Sequence, residues 1–549
     1  MKRDLATSVR TPLAELVTRE YDILVIGGGI TGAGILRDAA MRGLSAALVD
    51  RGDFGTGTSS RSSRLVHGGL RYLEHFQWGL VREALRERRT LLRIAPHLVH
   101  PLPFLLPSHR GDRVPRWKLA AGMALYGLLA AGGNVPRPRT LGKAGVLALE
   151  PNLRSRGLRG GARYTDAQCD DARLVIATIR SALTHGAHAA NYLEVVDLDR
   201  TGNRISGATV VDRMSGGKGS IRARIVINAT GPWTDVIRRL EDPAVEPLLR
   251  PTKGAHVVVP RSRIGHHHGI TLTSPIDGRV LFVLPWGEHS YIGTTDTDFT
   301  GDPADVTADA EDIRYLLRSA NSMFPHAHLG PEDVVATWAS LRPLVAADPS
   351  LPPGAVSREH VILTGSHGLL TITGGKLTTY RLMAEEVVNT AVVALFPKGS
   401  RPGPAATATE PLPGGESDTW EPFLRSGMDL GLAAASVEHL LWHYGTEAAA
   451  LLNLLRADRR LATQIQPGHP ALKAEVVHAV RRELAQRVED VLARRIHLTT
   501  ETADHGVAGA PVVAALMARE LGWTSQRTAE ETVRFTDAHG GSAEDGTDS

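Results

Sequence analysis

The sequence predicts an α/β protein in three parts: a Rossmann-like dinucleotide-binding domain, an interleaved substrate domain on a mixed sheet, and a C-terminal all-α domain. Three observations predict it. A glycine fingerprint lies between two apolar strands at Tyr21–Asp50. Strand-like and helix-like segments alternate from residue 20 to about 404. Beyond a Pro- and Gly-rich stretch, β-branched clusters thin out and helical periodicity takes over.

Ile23–Ile26 is apolar and partly β-branched, as a buried parallel strand should be. Gly27, Gly29 and Gly32 then give G-x-G-x-x-G where the strand turns into a helix. The first glycine allows the tight turn, the second lets backbone approach a pyrophosphate, and the third lets helix and strand pack closely. The helix N-terminus offers N–H groups and partial positive charge to phosphates. A second strand, Ala46–Val49, ends at Asp50, whose carboxylate can accept a bond from a ribose hydroxyl.

Along the chain, residues 1–19 read as a tail with one short helix, and 20–404 as the α/β body that carries every strong motif. Leu193–Leu198, Ile225–Ala229, Val257–Val259 and Leu281–Leu284 are its further strand-like runs. Residues 405–417 are a linker by composition and 418–536 a helical domain. In the latter Val476, Val480, Leu484, Val488, Val491 and Leu492 recur at helical spacing. The Gly-, Ser- and Asp-rich end, 537–549, reads as disordered.

Composition is that of a soluble globular protein, and a formal charge of +3 over 549 residues with no long basic run argues against nucleic acid. Cys169 is the only cysteine, so a disulfide framework is excluded and a reducing compartment expected. Met1–Glu20 has no apolar core and is not a secretory signal. The run Leu119–Ala131 is too short to span a bilayer and reads first as a buried helix. Arg116, Trp117, Lys118 and Tyr126 also fit an anchor lying in a membrane surface.

Further motifs carry chemistry. In Thr58–Glu74, Thr58, Ser59, Ser60 and Ser63 offer hydroxyls, and His67, Gly68 and Gly69 offer close backbone, as the pyrophosphate and ring edge of a flavin require. The strand Ile225–Asn228 runs into Ala229-Thr230-Gly231, where doubly wound folds place ligands. Gly374-Gly375-Lys376-Leu377-Thr378 reads as a glycine turn opening a helix through Arg381–Val388, a site for an anion or ring edge. Because 54 of the 62 basic residues are arginine, a lysine kept at position 376 is less plausible as a random surface cation, and Lys253 less strongly so. His256, Arg342 and Arg358 singly suit a core histidine and solvated arginines. The tract His266–His268 lies between glycines with no carboxylate or cysteine nearby in sequence, and reads as a solvated loop; no metal site is expected.

Together these segments resemble the FAD-dependent, respiratory glycerol-3-phosphate dehydrogenases. The resemblance is carried by Ile26–Gly34, Ser59–Glu74, Asp170-Asp-Ala-Arg-Leu174 and Asn228–Trp233. It continues in Lys253–His256, Ile292–Asp296, Leu341–Leu344 and Gly374–Arg381, and runs over about residues 20–385. Thr31 stands where relatives often have Asn, and Ser340 where Gly is expected. The resemblance implies FAD, held by the fingerprint and serine-loop residues above with Ala229, Thr230, Gly231, Gly375, Leu377 and Thr378. It implies oxidation of sn-glycerol 3-phosphate at C2 to dihydroxyacetone phosphate. His256 is then the candidate base, and Arg71, Tyr72, Arg342 and Arg358 belong to the substrate. Lys376 serves either the substrate or the flavin edge. Electrons would pass to membrane quinone from a cytoplasmic protein peripheral on the membrane face, with a homodimer left open. Alternatives are a glycerol-3-phosphate oxidase using dioxygen, an oxidoreductase of amino-acid-oxidase type, and a non-catalytic FAD-binding sensor or assembly protein.

Overall fold

The fingerprint strand forms as Glu20–Ile26 and sits in the middle of the first of two sheets. The computed structural model describes residues 10–70, 73, 77–112, 114, 116–130, 135–345 and 359–540. Among these the first sheet has eight strands. Its main path runs His360–Thr364, Leu370–Gly374, Lys218–Asn228, Glu20–Ile26, Ala46–Val49, His188–Ala190. All neighbours on it are parallel except the first pair. The continuous apolar run has a direct cause: Ile23 and Val25 pack under helices on one face, while Leu24 and Ile26 pack into a second core on the other. The helices are Ile30–Met41, Asp171–Thr184 and Tyr380–Leu395. The opposite face is covered by the hairpin Leu193–Thr201/Arg204–Asp212 and by Leu16, so part of the N-terminal segment is core rather than tail.

The second sheet has ten strands and is mixed, as expected. Leu249–Pro260 lies between His289–Gly293 and Ala336–Val345, antiparallel to both. Gly269–Thr273 pairs in parallel with Val99–His109. The chain crosses between the two sheets repeatedly, which is the predicted interleaving.

The apolar helix forms as Arg116–Leu129. Leu119, Met123 and Tyr126 are core, and the Tyr126 hydroxyl donates to Asp166 at 2.7 Å, so Tyr126 is no interfacial anchor. Trp117 and Leu128, 74 % and 70 % exposed, point outward. Among the described residues no helix is long and apolar enough to cross a membrane. The His266–His268 tract is a second correction. His266 and His268 are buried rather than solvated, with His267 exposed between them, because the Glu150 carboxylate, remote in sequence, accepts from the His267 and His268 backbone N–H groups and contacts His268 Nδ1 at 2.7 Å.

Beyond residue 420 every element is helical. The apolar repeat from Val476 to Leu492 spans two helices, Lys473–Arg482 and Val488–Arg494. Leu484 takes φ 59° between them, because tertiary bonds to the Glu483 and Leu484 carbonyls from Arg495 and Asn191 override local propensity. The last helix runs to His539, three residues past the expected end.

Buried ion pairs dock this domain on the α/β body. Arg173 donates to Glu483 at 2.7 Å, Arg180 to Glu447, and His497 Nε2 lies 2.7 Å from Asp170. Burial alone would raise both glutamates; Arg173 and Arg180 outweigh it and hold each at about 2. The unfolded carboxyl titrates near about 4.3, so the pairs stabilise fully above that pH and lose their contribution as pH falls toward about 2. Acid titration followed by tryptophan emission should show the helical domain releasing in that window. In Glu483→Gln, stability at neutral pH should be lower and the acid-dependent loss smaller.

Candidate active site and dinucleotide cleft

The cleft opens at the carboxyl ends of the parallel strands, where the Glu20–Ile26 strand meets its helix. Gly27 has φ +107°, and a Cβ there would lie 2.6 Å from the Ala229 carbonyl oxygen. A Cβ on Gly32 would meet the Gly27 carbonyl oxygen at 1.9 Å, so Gly32 underpins the turn instead of facing the cleft. The cleft holds about 1870 Å³, its open mouth included. Gly27, Gly29, Asp50, Thr58, Ser59, Ala229, Thr230, Gly231, Gly375, Lys376 and Leu377 all line it. Five separate stretches of sequence therefore converge on one site.

Local bonds show how each is fixed. Asp50 accepts from the Gly28 N–H at 2.6 Å and the Gly52 N–H at 2.8 Å. Burial, partly offset by those bonds, raises it to about 6, so near neutral pH it presents a carboxylate beside the fingerprint turn. Ser59 Oγ accepts from Ile30 N at 3.0 Å at the helix start, and Thr58 donates to the Leu341 carbonyl at 2.7 Å. Ser340 lines the cleft and spends its hydroxyl on the Arg61 carbonyl, 2.9 Å away. Lys376 N-caps the turn Leu377–Thr379, which feeds the helix Tyr380–Leu395.

The rest of the serine-loop set stands beside or behind this wall. Ser60 lies in the short turn Thr58–Ser60. The His67 N–H donates to Thr378 Oγ1 at 3.1 Å, joining the two segments expected to meet around one ring. Gly68 packs on Tyr126 and Leu85 while its N–H donates to Asp166, and the Gly69 N–H donates to His67 Nδ1. Arg71, Tyr72 and Arg358 lie outside the described residues.

His256 and Arg342 come from neighbouring strands, with His256 opposite Trp338 and Arg342 opposite Thr252. His256 is 3 % exposed. Its Nε2 is 2.9 Å from Ser63 Oγ, and its ring stacks on Trp338 at 5.0 Å. The other nitrogen, Nδ1, is buried without a partner among the described residues. Gly293 makes room for the ring, since a Cβ there would lie 2.1 Å from Cδ2. Burial, then Arg342 and Arg64, lower His256 to about 3, so the ring is neutral at working pH and keeps a lone pair. Arg342 is oriented by Asp296 at 3.1 Å, Thr294 Oγ1 at 3.0 Å and the Thr295 carbonyl at 2.9 Å. Lys253 does not join the site; its ammonium pairs with Asp309 and Asp312.

Sequence reasoning missed the residues that brace this wall. Asp171 accepts from the Ser62 N–H and hydroxyl, and Trp338 Nε1 donates to the Ser62 carbonyl. The Arg64 guanidinium lies over Trp286, Tyr291 and Trp338. The Asp170–Leu174 motif was the available signal: Asp170 caps its helix, Asp171 holds the serine loop and Arg173 holds the helical domain. Among the described residues one trio has metal-ligand geometry, Asp170, His443 and His497, at the domain junction away from the cleft.

Residues 22–381 match the FAD dependent oxidoreductase family, and 405–528 match the C-terminal domain of alpha-glycerophosphate oxidase. Glycerol-3-phosphate dehydrogenase 2 of Mycobacterium tuberculosis is 40 % identical over 531 residues, covering 95 % of this chain and 88 % of that protein. The mitochondrial glycerol-3-phosphate dehydrogenase of Rattus norvegicus is 38 % identical over 94 % of this chain and 73 % of its own. The glycerol-3-phosphate dehydrogenase of Bacillus halodurans, solved in complex with FAD, superposes with a TM-score of 0.80 at 31 % identity, covering 96 % of this chain and 95 % of that one. The residues lining the cleft fit that cofactor: a glycine turn at a helix N-terminus for the pyrophosphate, Asp50 for a ribose, and glycine backbone with Lys376 for the ring edge. The chain belongs to the FAD-dependent glycerol-3-phosphate dehydrogenase family, and FAD is its cofactor.

Proposed function

We propose that the protein oxidises sn-glycerol 3-phosphate at C2 to dihydroxyacetone phosphate and delivers the electrons to membrane quinone. The observation that carries this reading is a pre-oriented Arg342 on the cleft-lining strand Ala336–Val345, with a buried, neutral His256 on the strand next to it. Bound FAD supplies the hydride acceptor. His256 takes the C2 hydroxyl proton; its lowered basicity keeps it unprotonated, and Ser63 and Trp338 fix its ring. Arg342 clamps the phosphate dianion, for which a guanidinium fork is suited. Arg71, Tyr72 and Arg358 are assigned to the same anion, and Lys376 to the substrate or the flavin edge.

The helix Arg116–Leu129, with Trp117 and Leu128 outward, supports a peripheral association with the cytoplasmic membrane face. The match of residues 405–528 to an oxidase's C-terminal domain favours one second reading, dioxygen as acceptor. A single experiment tests both. The yellow enzyme is bleached anaerobically with sn-glycerol 3-phosphate, then given a soluble quinone or air. Full bleaching and fast recovery with quinone are expected. Fast recovery only in air would favour the oxidase, and no bleaching would remove the substrate assignment.

A further inference from the structure

The loop that follows the ribose-side aspartate has two faces. Asp50, Arg51, Gly52, Gly55, Thr56 and Gly57 line the dinucleotide cleft. Asp53, in the middle of the same loop, turns the other way and is 1 % exposed. Its carboxylate accepts from Arg494 Nε at 2.6 Å and from Arg495 at 2.5 and 3.0 Å, both on the helical domain. Asn191 Nδ2 adds a bond at 3.0 Å and also donates to the Leu484 carbonyl. Behind them Arg494 donates to Asp490 at 2.8 Å, Tyr192 donates to the same carboxylate at 2.6 Å, and Arg495 donates to the Glu483 carbonyl. On the cleft side the Gly55 N–H donates to the Gly28 carbonyl of the glycine turn, and Asp50 accepts from Gly28. A short, fully bonded path thus joins the helical domain to the turn that receives the pyrophosphate.

We propose that the helical domain is a positioning element of the FAD cleft, acting through the Asp53–Arg494–Arg495 junction. Asp53, Arg494 and Arg495 are positioning residues; none touches the cofactor. The charge arrangement makes the junction demanding. Two buried carboxylates, Asp53 and Asp490, face two buried guanidiniums, Arg494 and Arg495, so removing either arginine leaves an uncompensated buried charge. The loop's hold on Gly28 is then lost with it. Coupling between two sites is reciprocal, so FAD in the cleft should tighten the domain's docking as much as docking tightens FAD.

The test compares three substitutions in the full-length holoenzyme. Arg495→Ala should weaken FAD binding tenfold or more, read as flavin fluorescence released on dilution, and Arg495→Lys should recover part of it. Glu447→Gln removes the partner of Arg180 at the same domain junction, a pair with no hydrogen bond to the loop among the described residues. It should lower the unfolding temperature while leaving FAD affinity within twofold. Hydrogen exchange should also show residues 483–495 better protected with FAD than without it in the wild-type protein. Equal loss of FAD affinity in Arg495→Ala and Glu447→Gln would mean that general docking matters and not this junction. Unchanged FAD affinity in a folded Arg495→Ala would overturn the proposal outright.

Discussion

In His256→Ala, the bound flavin is expected to be reduced by sn-glycerol 3-phosphate about 10²–10⁴ times more slowly, the usual worth of a positioned general base. Substrate affinity should change much less, because the ring is buried and stacked rather than offered as a charge. The measurement is the single-turnover loss of visible flavin absorbance without oxygen, across a series of substrate concentrations. Ser63→Ala provides a graded comparison. It removes one hydrogen bond to the ring and should cost about 0.5–1.5 kcal/mol, a slowing of roughly two- to tenfold. Wild-type bleaching by His256→Ala would strip His256 of the base role.

The second large effect is expected at Arg342. Arg342→Ala should raise KM by about one to two orders of magnitude, since hydrogen bonds to charged groups contribute about 1.5–3 kcal/mol. Flavin content should stay normal, because Arg342 bonds to Thr294, Thr295 and Asp296 rather than to cleft-lining backbone. The same change removes a positive charge that lowers His256. The histidine should therefore become more basic, and the acid limb of the reduction rate should move to higher pH. Wild-type kinetics with a fixed pH profile would separate Arg342 from both substrate and base. A raised KM with an unmoved pH limb would keep the clamp but reject the electrostatic coupling.

Much of the cofactor site was legible because its signals are local. A strand, a glycine turn and an acid within thirty residues specify one βαβ unit, and Ala46–Val49 forms at the bounds expected. The Gly-Gly-Lys turn was equally readable, since it opens a helix directly. What stayed hidden depends on partners far along the chain. Glu150 fixes His268 more than one hundred residues away, and nothing near residue 266 announces it. Tyr126 looked amphipathic in an apolar run, yet Asp166 takes its hydroxyl into the core. The break at Leu484 is invisible to periodicity, since the apolar spacing continues through it while Asn191 and Arg495 bind the carbonyls there. Nothing in the sequence around Asp53 announces its role, because its arginines lie more than four hundred residues later.

The alternation of the chain between two sheets has a consequence for synthesis. The strand Glu20–Ile26 pairs on one side with Lys218–Asn228, and the cleft needs Gly375–Leu377 to be closed. At about 5–20 residues per second, the ribosome makes the first of those partners roughly 10–40 s after the fingerprint strand emerges. Until then the glycine turn has backbone to offer a pyrophosphate but no opposite wall. Cofactor loading should therefore be a late event on the nascent chain. A translation product halted before residue 370 should capture no flavin, although it already carries the whole fingerprint.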